Sequence, residues 1–162
     1  MFNYKQKLKE LKFLRKIFKI FNFQLFYSKK VNYLADLKVD NVIDVGANIG
    51  TTVLPASKKV GKKGRVIAFE PQTIIAQCLQ TNLTLNNIKN VIVYNIALSD
   101  KDGWAKLNDN EFTESGRYGE AGISENGTDI KTMKLDDLKL NSCSLIKLDI
   151  EGHEWAAMQG AS

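Results

Sequence analysis

Histidine is almost missing from this sequence: His153 is the one copy in 162 residues, alongside two cysteines and two prolines. Cys78 and Cys143 stand 65 positions apart and make neither a disulfide framework nor a four-ligand zinc site. They suit a reducing, cytoplasmic compartment and are expected to be packing residues. Long apolar runs are lacking too. No stretch of 18 apolar residues is free of charge, which excludes a spanning helix in these residues. What remains is ordinary: 44% hydrophobic and 25% charged residues exclude a largely disordered chain, and the length fits one domain better than two.

The net charge of +5 is unevenly spread. Residues 1–31 hold nine Lys/Arg and one Glu, or +8, which leaves −3 for residues 32–162. A basic arm on an acidic body argues against nucleic acid as a partner, because nucleic-acid binding calls for a basic face on the folded domain. The arm has helical periodicity: Leu8, Leu11, Leu14, Ile17, Phe18, Phe21 and Leu25 recur at steps of three and four, with lysines between them. Lys19 interrupts the apolar run and no small-residue cleavage site follows, so a signal peptide is not supported. Two readings stay open. The helix packs its Phe face on the rest of the fold, or residues 5–27 lie on an anionic membrane surface, which would place the protein peripherally at the membrane. The division expected is a basic amphipathic helix over 1–31 and a second unit over 32–162.

The body alternates strands and helices. Strands are expected at 41–45, 65–69, 90–94 and 145–149, and helices at 51–60, 73–86 and 153–159, with Pro55 near a first turn. Ile74, Ile75, Cys78, Leu79 and Leu83 form the apolar side of the second helix. Residues 100–140 read as irregular hairpins and loops. Strands apolar along their whole length imply a parallel sheet covered on both faces, and right-handed crossovers make it a doubly wound α/β fold. Ligands bind such sheets beyond the carboxyl ends of the strands, where strand order reverses. The chemically interesting residues do follow the strands: 44–50, Glu70, 95–99 and 149–154.

In Asp44-Val-Gly-Ala-Asn-Ile-Gly50 the spacing is G-x-x-x-G, not the G-x-G-x-x-G of dinucleotide binders, and there is no P-loop Lys or Ser/Thr. A pyrophosphate cradle is therefore not supported. Gly46 lets backbone and ligand approach closely, and Asp44 is placed to accept from a ligand ammonium; alternatively the segment is a simple strand-to-helix turn. Glu70, 24 residues after Gly46, ends the next strand, where a carboxylate can take both hydroxyls of a ribose; otherwise it is a helix-entry residue before Pro71.

These segments, with Asn82-Leu-Thr-Leu-Asn86, Ala97-Leu-Ser-Asp-Lys-Asp-Gly103, Lys134-Leu-Asp-Asp-Leu138 and Leu145-Ile-Lys-Leu-Asp-Ile-Glu-Gly-His-Glu154, occur in order and resemble the FkbM-type S-adenosylmethionine-dependent methyltransferases over roughly residues 38–161. The resemblance implies a Rossmann-like class I methyltransferase fold, S-adenosyl-L-methionine as cofactor, and O-methylation of a hydroxyl on a sugar, glycan or natural product. By the same resemblance Asp44, Gly46, Asn48 and Gly50 line the methionine side of the cofactor, Glu70 holds the ribose, and Ala97 and Leu98 lie near the adenine. Lys147 to Glu154 would face the transferred methyl and the acceptor. Within it Asp149 and Glu151 are candidates for a base or for positioning the acceptor, for oxygen ligands to a divalent metal, or for a charge cluster at a helix start. His153 is a candidate acceptor contact or a partly exposed helix-start residue.

Asn82 and Asn126 match the glycosylation sequon, with nothing else pointing to secretion. Trp104 and Trp155 are expected to pack rather than to stack on ligands. A complete fold of this type would continue with further strands, so 145–149 is expected as an exposed edge of a partial domain. The competing class is a non-catalytic α/β module that uses its basic helix to bind a membrane or a partner.

Overall fold

The computed structural model describes residues 40–108 and 122–161, and the basic helix expected over 1–31 lies outside them. Four strands form the central sheet: β1 (Asn41–Val45), β2 (Arg65–Phe69), β3 (Val91–Tyr94) and β8 (Leu145–Leu148), in the order β3-β2-β1-β8 and all parallel. The chain moves outward from β1 to β2 and β3, then returns to the other side of β1. Strand order thus reverses between β1 and β8, the place where a doubly wound sheet opens a crevice.

Alternation along each strand sorts the core into two layers. Val42, Val66 and Ala68 face one side with α1 (Val53–Val60) and α2 (Thr73–Leu85), represented by Val53, Ala56, Leu79 and Leu83. Ile43, Val45, Ile67 and Phe69 face the other side, against Leu98, Leu135 and Ala157 of α3 (Glu154–Gln159). Both faces of the central strands β1 and β2 are covered, which is why they are mainly apolar, whereas Ile92 of β3 and Ile146 of β8 stay exposed at the sheet's edges. Pro55 is the third residue of α1, where its missing N–H costs nothing. Ile74 departs from the expected apolar side: it is exposed, and the buried row is Ile75, Ala76, Leu79, Asn82 and Leu83.

Residues 100–140 contain more order than their composition announces. β4 (Ala97–Leu98), β5 (Gly103–Asn108), β6 (Gly122–Ser124) and β7 (Thr128–Met133) form a second sheet in the order β4-β7-β5-β6, antiparallel apart from the β4–β7 pair. Leu107 and Ile130 are buried in it while Trp104, Lys106, Asp129 and Lys131 face solvent. That is half-buried alternation, diluted by charge. The tryptophans do not pack as expected: Trp104 is 67% and Trp155 75% exposed, and Lys131 Nζ sits 5.6 Å from the Trp104 ring centre. Cys143 is likewise exposed and Cys78 half-buried. No helix among the described residues is long and apolar enough to cross a membrane.

Candidate functional site

The ends of β1, β2 and β8 and the second sheet enclose a cavity of about 270 Å³. Gly46, Asn48, Glu70, Ala97, Leu98, Lys147, Asp149, Glu151 and His153 line it, as do Leu107 and Ile123 of the second sheet. Asp44 and Gly50 stand behind the wall and do not line it.

Gly46 ends β1 with φ +76°, a left-handed conformation that costs an L side chain about 1–2 kcal/mol. A Cβ there would collide with the carbonyl oxygen of Asp149. The glycine is demanded first by β8, whose end is tied to β1 through Asp149 N–H donating to Val45 O at 3.1 Å. Every backbone donor of the turn is then consumed inside the chain. The N–H groups of Gly46 and Ala47 share Phe69 O at 3.0 and 2.9 Å, and Asn48 N–H reaches Glu70 Oε2 at 2.9 Å. Ile49 N–H takes Asn48 Oδ1 at 2.7 Å and Gly50 N–H takes Ala47 O at 3.0 Å. A turn with no spare N–H is no cradle for phosphate, in line with the glycine spacing.

Glu70 is 4% exposed, and its second oxygen, Oε1, accepts from Gln72 N–H at 2.9 Å. Burial pushes its carboxyl above the usual range, opposed by the two N–H donors and by Lys147. Each oxygen keeps a further lone pair, so two hydroxyl donors can still be accommodated. Asn95 Nδ2 donates to the carbonyls of Glu70 and Pro71, both at 2.8 Å, which fixes the carboxylate's backbone to the end of β3.

Asp44 is fully buried and hydrogen-bonded by Thr52 Oγ1. Lys147 Nζ lies 3.1 Å from Asp44 Oδ1 without a well-aligned hydrogen bond, and donates to Gly46 O at 2.9 Å. The position expected for a ligand ammonium at Asp44 is therefore taken by the chain's own lysine. Burial raises the Asp44 carboxyl, against the pull of Lys147 and Thr52. Asp149 Oδ2 is 3.6 Å from the same Nζ but reaches into solvent.

After β8 the chain turns through Glu151 (φ +50°) and Gly152 (φ +93°) into α3. Glu154 Oε1 accepts from the N–H groups of Ile150 and Gly152, which closes the turn; its own backbone N–H, with those two, holds its carboxyl below the usual range. It belongs to the scaffold and is not among the cavity-lining residues. Among the described residues no three His, Cys, Asp or Glu side chains gather where a metal ion could bind.

Two residues at the site carry work that the sequence hid. Asn82 is 4% exposed and donates through Nδ2 to Ile49 O at 2.7 Å, bracing the glycine turn from α2. That burial excludes it as a glycan acceptor in the fold; its signal was a polar residue on an apolar helix face. Ser99, also buried, contacts His153 Nε2 at 3.1 Å; the sequence places it in the segment 95–99 after the third strand but gives no sign of this partner.

The sequence matches the model of the methyltransferase FkbM domain over residues 44–162. No curated protein matches it. Among solved structures, a SAM dependent methyltransferase from Aquifex aeolicus is 27% identical with a TM-score of 0.40, the match covering 49% of this chain and 42% of that one. A candidate O-methyltransferase from Klebsiella pneumoniae is 18% identical with a TM-score of 0.36, covering 45% of this chain and 32% of that one. The chain thus spans less than half the length of either solved relative.

Proposed function

The chain belongs to the FkbM methyltransferase family, and from that premise we propose that it transfers a methyl group from S-adenosyl-L-methionine to a hydroxyl oxygen of a sugar, glycan or natural product. One observation carries the choice of cofactor: a switch-point cavity whose glycine turn has spent all its N–H donors, and whose lining holds three carboxylates, Glu70, Asp149 and Glu151. The one lysine of the lining is already paired with Asp44. A pocket with surplus negative charge and no free donors in its glycine turn disfavours a dinucleotide pyrophosphate. It favours a ligand bearing ammonium, sulfonium and ribose hydroxyls.

When bound, the cofactor supplies a methyl group that needs no further activation. Glu70 accepts the ribose hydroxyls through its remaining lone pairs. Asp149 takes the ammonium in this reading, because Lys147 already meets Asp44. Ala97 and Leu98 offer an apolar wall to the adenine. Glu151 and His153 border the acceptor side. The protein's contribution is mainly orientation, worth up to about 7–11 kcal/mol when the reacting atoms are aligned.

Calorimetry on the full chain tests this. Micromolar binding of S-adenosylmethionine, abolished in Glu70→Ala, is the expected result; tight NADH binding with none of the methyl donor would overturn it. Radiolabelled methyl transfer, screened across carbohydrates and other hydroxyl compounds, identifies the acceptor.

A further inference from the structure

We propose that Ser99 and Asp100 are positioning residues that hold His153 with its proton on Nε2, so that Nδ1 takes the proton of the acceptor hydroxyl. This deepens the methyl-transfer reading and rests on it. Ser99 Oγ donates to Asp100 Oδ1 at 2.9 Å and lies 3.1 Å from His153 Nε2. A hydroxyl has one proton, and an ionised carboxylate only accepts. With its proton directed at Asp100, Ser99 Oγ can only accept from the ring, so the neutral imidazole carries its hydrogen on Nε2. Nδ1 is left as the lone-pair nitrogen, and it makes no hydrogen bond to any described residue.

The surroundings keep this arrangement in place. Ser99 is 5% exposed, and its N–H donates to Met133 O at 2.9 Å. Gly160, at the end of α3, packs so closely on the Ser99 carbonyl that a Cβ would collide with it. His153 sits at the other end of α3, with its N–H on Ile150 O and its carbonyl accepting from Ala157 N–H. The short helix therefore presses both ends onto Ser99, and the ring between them lines the cavity that Glu70 and Asp149 share. The chain of bonds runs from an exposed carboxylate through a buried hydroxyl to an imidazole at the cavity wall. Asp149 and Glu151 also line the cavity, but Asp149 meets Lys147 only at 3.6 Å and reaches into solvent, and no hydrogen bond from a described residue orients either carboxylate; imidazole is the side-chain base suited to neutral pH.

In the step the acceptor oxygen forms its bond to the methyl carbon, and the electron pair of the carbon–sulfur bond stays on sulfur. The hydroxyl proton passes to Nδ1. The products are a methyl ether, a neutral thioether and an imidazolium whose other N–H still faces Ser99.

Because His153 is the only histidine, its ring nitrogens can be observed without assignment ambiguity in the full chain labelled with ¹⁵N-histidine. In alkaline buffer the wild type is expected to show a single Nε2–H tautomer. Ser99→Ala should show a mixture, and Ser99→Thr, which keeps the hydroxyl, should restore the single form. Equal affinity for S-adenosylmethionine in the three proteins certifies that each is folded. His153→Gln should lower turnover of the acceptor found in the screen by about 10²–10⁴-fold at unchanged cofactor affinity. An Nδ1–H ring in the wild type, a tautomer indifferent to Ser99→Ala, or undiminished turnover in His153→Gln overturns the proposal. A chain that binds the cofactor but methylates nothing overturns the methyl-transfer reading, and the base assignment with it, whatever the nitrogen signals show.

Discussion

Lys147→Met should destabilise the fold in a way that depends on pH. The lysine is one-fifth exposed, but its partner Asp44 is 2% exposed, with Nζ and Oδ1 3.1 Å apart. At an effective dielectric of about 20, two unit charges at that separation attract by about 5 kcal/mol. The full amount cannot appear as lost stability, because Asp44 can escape by taking a proton. Protonating an aspartate of ordinary pKa, about 3.9, costs about 4 kcal/mol at pH 7 and about 1.5 kcal/mol at pH 5. Those figures are ceilings, because burial already raises the Asp44 carboxyl in the wild type. The expected loss is about 2–4 kcal/mol at pH 7 and under about 1.5 kcal/mol at pH 5. Methionine fills much the same volume as the lysine stem, so a packing loss does not confuse the result. Urea unfolding followed by far-UV circular dichroism suits the measurement, since both tryptophans are largely exposed and report poorly on the core. Adding Asp44→Asn should recover most of the loss, because the buried charge is then gone. A loss equal at both pH values, or a double variant no better than the single one, refutes the reasoning.

Three further outcomes are expected. Gly46→Ala must adopt a left-handed φ and displace the Asp149 carbonyl, so it should cost more than about 2 kcal/mol in urea unfolding and abolish cofactor binding in calorimetry. Asn82→Ala removes a buried donor to Ile49 O and should cost about 1–3 kcal/mol, with weaker cofactor binding because the glycine turn loses its brace. Burial raises the Glu70 carboxyl, so the folded chain keeps that proton to higher pH than the unfolded chain. Its contribution to stability therefore falls as pH rises above the ordinary glutamate value of about 4.3, while S-adenosylmethionine binding tightens over the same range; Glu70→Gln should lose both trends.

What the sequence discloses here follows from how far apart the interacting residues lie. The four central strands are legible because each is a short, mainly apolar run, broken inside only by Asp44 in β1 and Lys147 in β8, and their order then places 44–50, Glu70 and 149–154 at one end. The second sheet is obscured because its longer strands β5 and β7 carry Lys106, Asp129 and Lys131 on a solvent face and bury Leu107, Ile130 and Thr132, with Ala105 partly buried. The helical period implies that Ile74 packs, yet the register of α2 on the sheet leaves it outside, which the helix's own periodicity does not determine. The pairing of Asp44 with Lys147 spans 103 residues, and that of Ser99 with His153 spans 54. Neither pair has a local signature, because each exists only after the sheet has brought two strand ends together.

The Asp44–Lys147 pair also bears on what the cavity selects. Had Asp44 been free, the cavity would hold one more carboxylate; had Lys147 been free, it would offer a cation to anionic ligands. Pairing the lining Lys147 with Asp44 behind it cancels both at the floor of the crevice and leaves Glu70, Asp149 and Glu151 to set the charge felt by a ligand. The same contact anchors β8 to β1, since Lys147 also donates to Gly46 O. Charge selection and strand pairing thus depend on one side chain. A variant that frees the lysine while keeping the sheet, Asp44→Asn, should then weaken binding of the cationic cofactor more than it weakens the fold. A fall in stability with unaltered cofactor affinity would show that the pair serves the sheet alone.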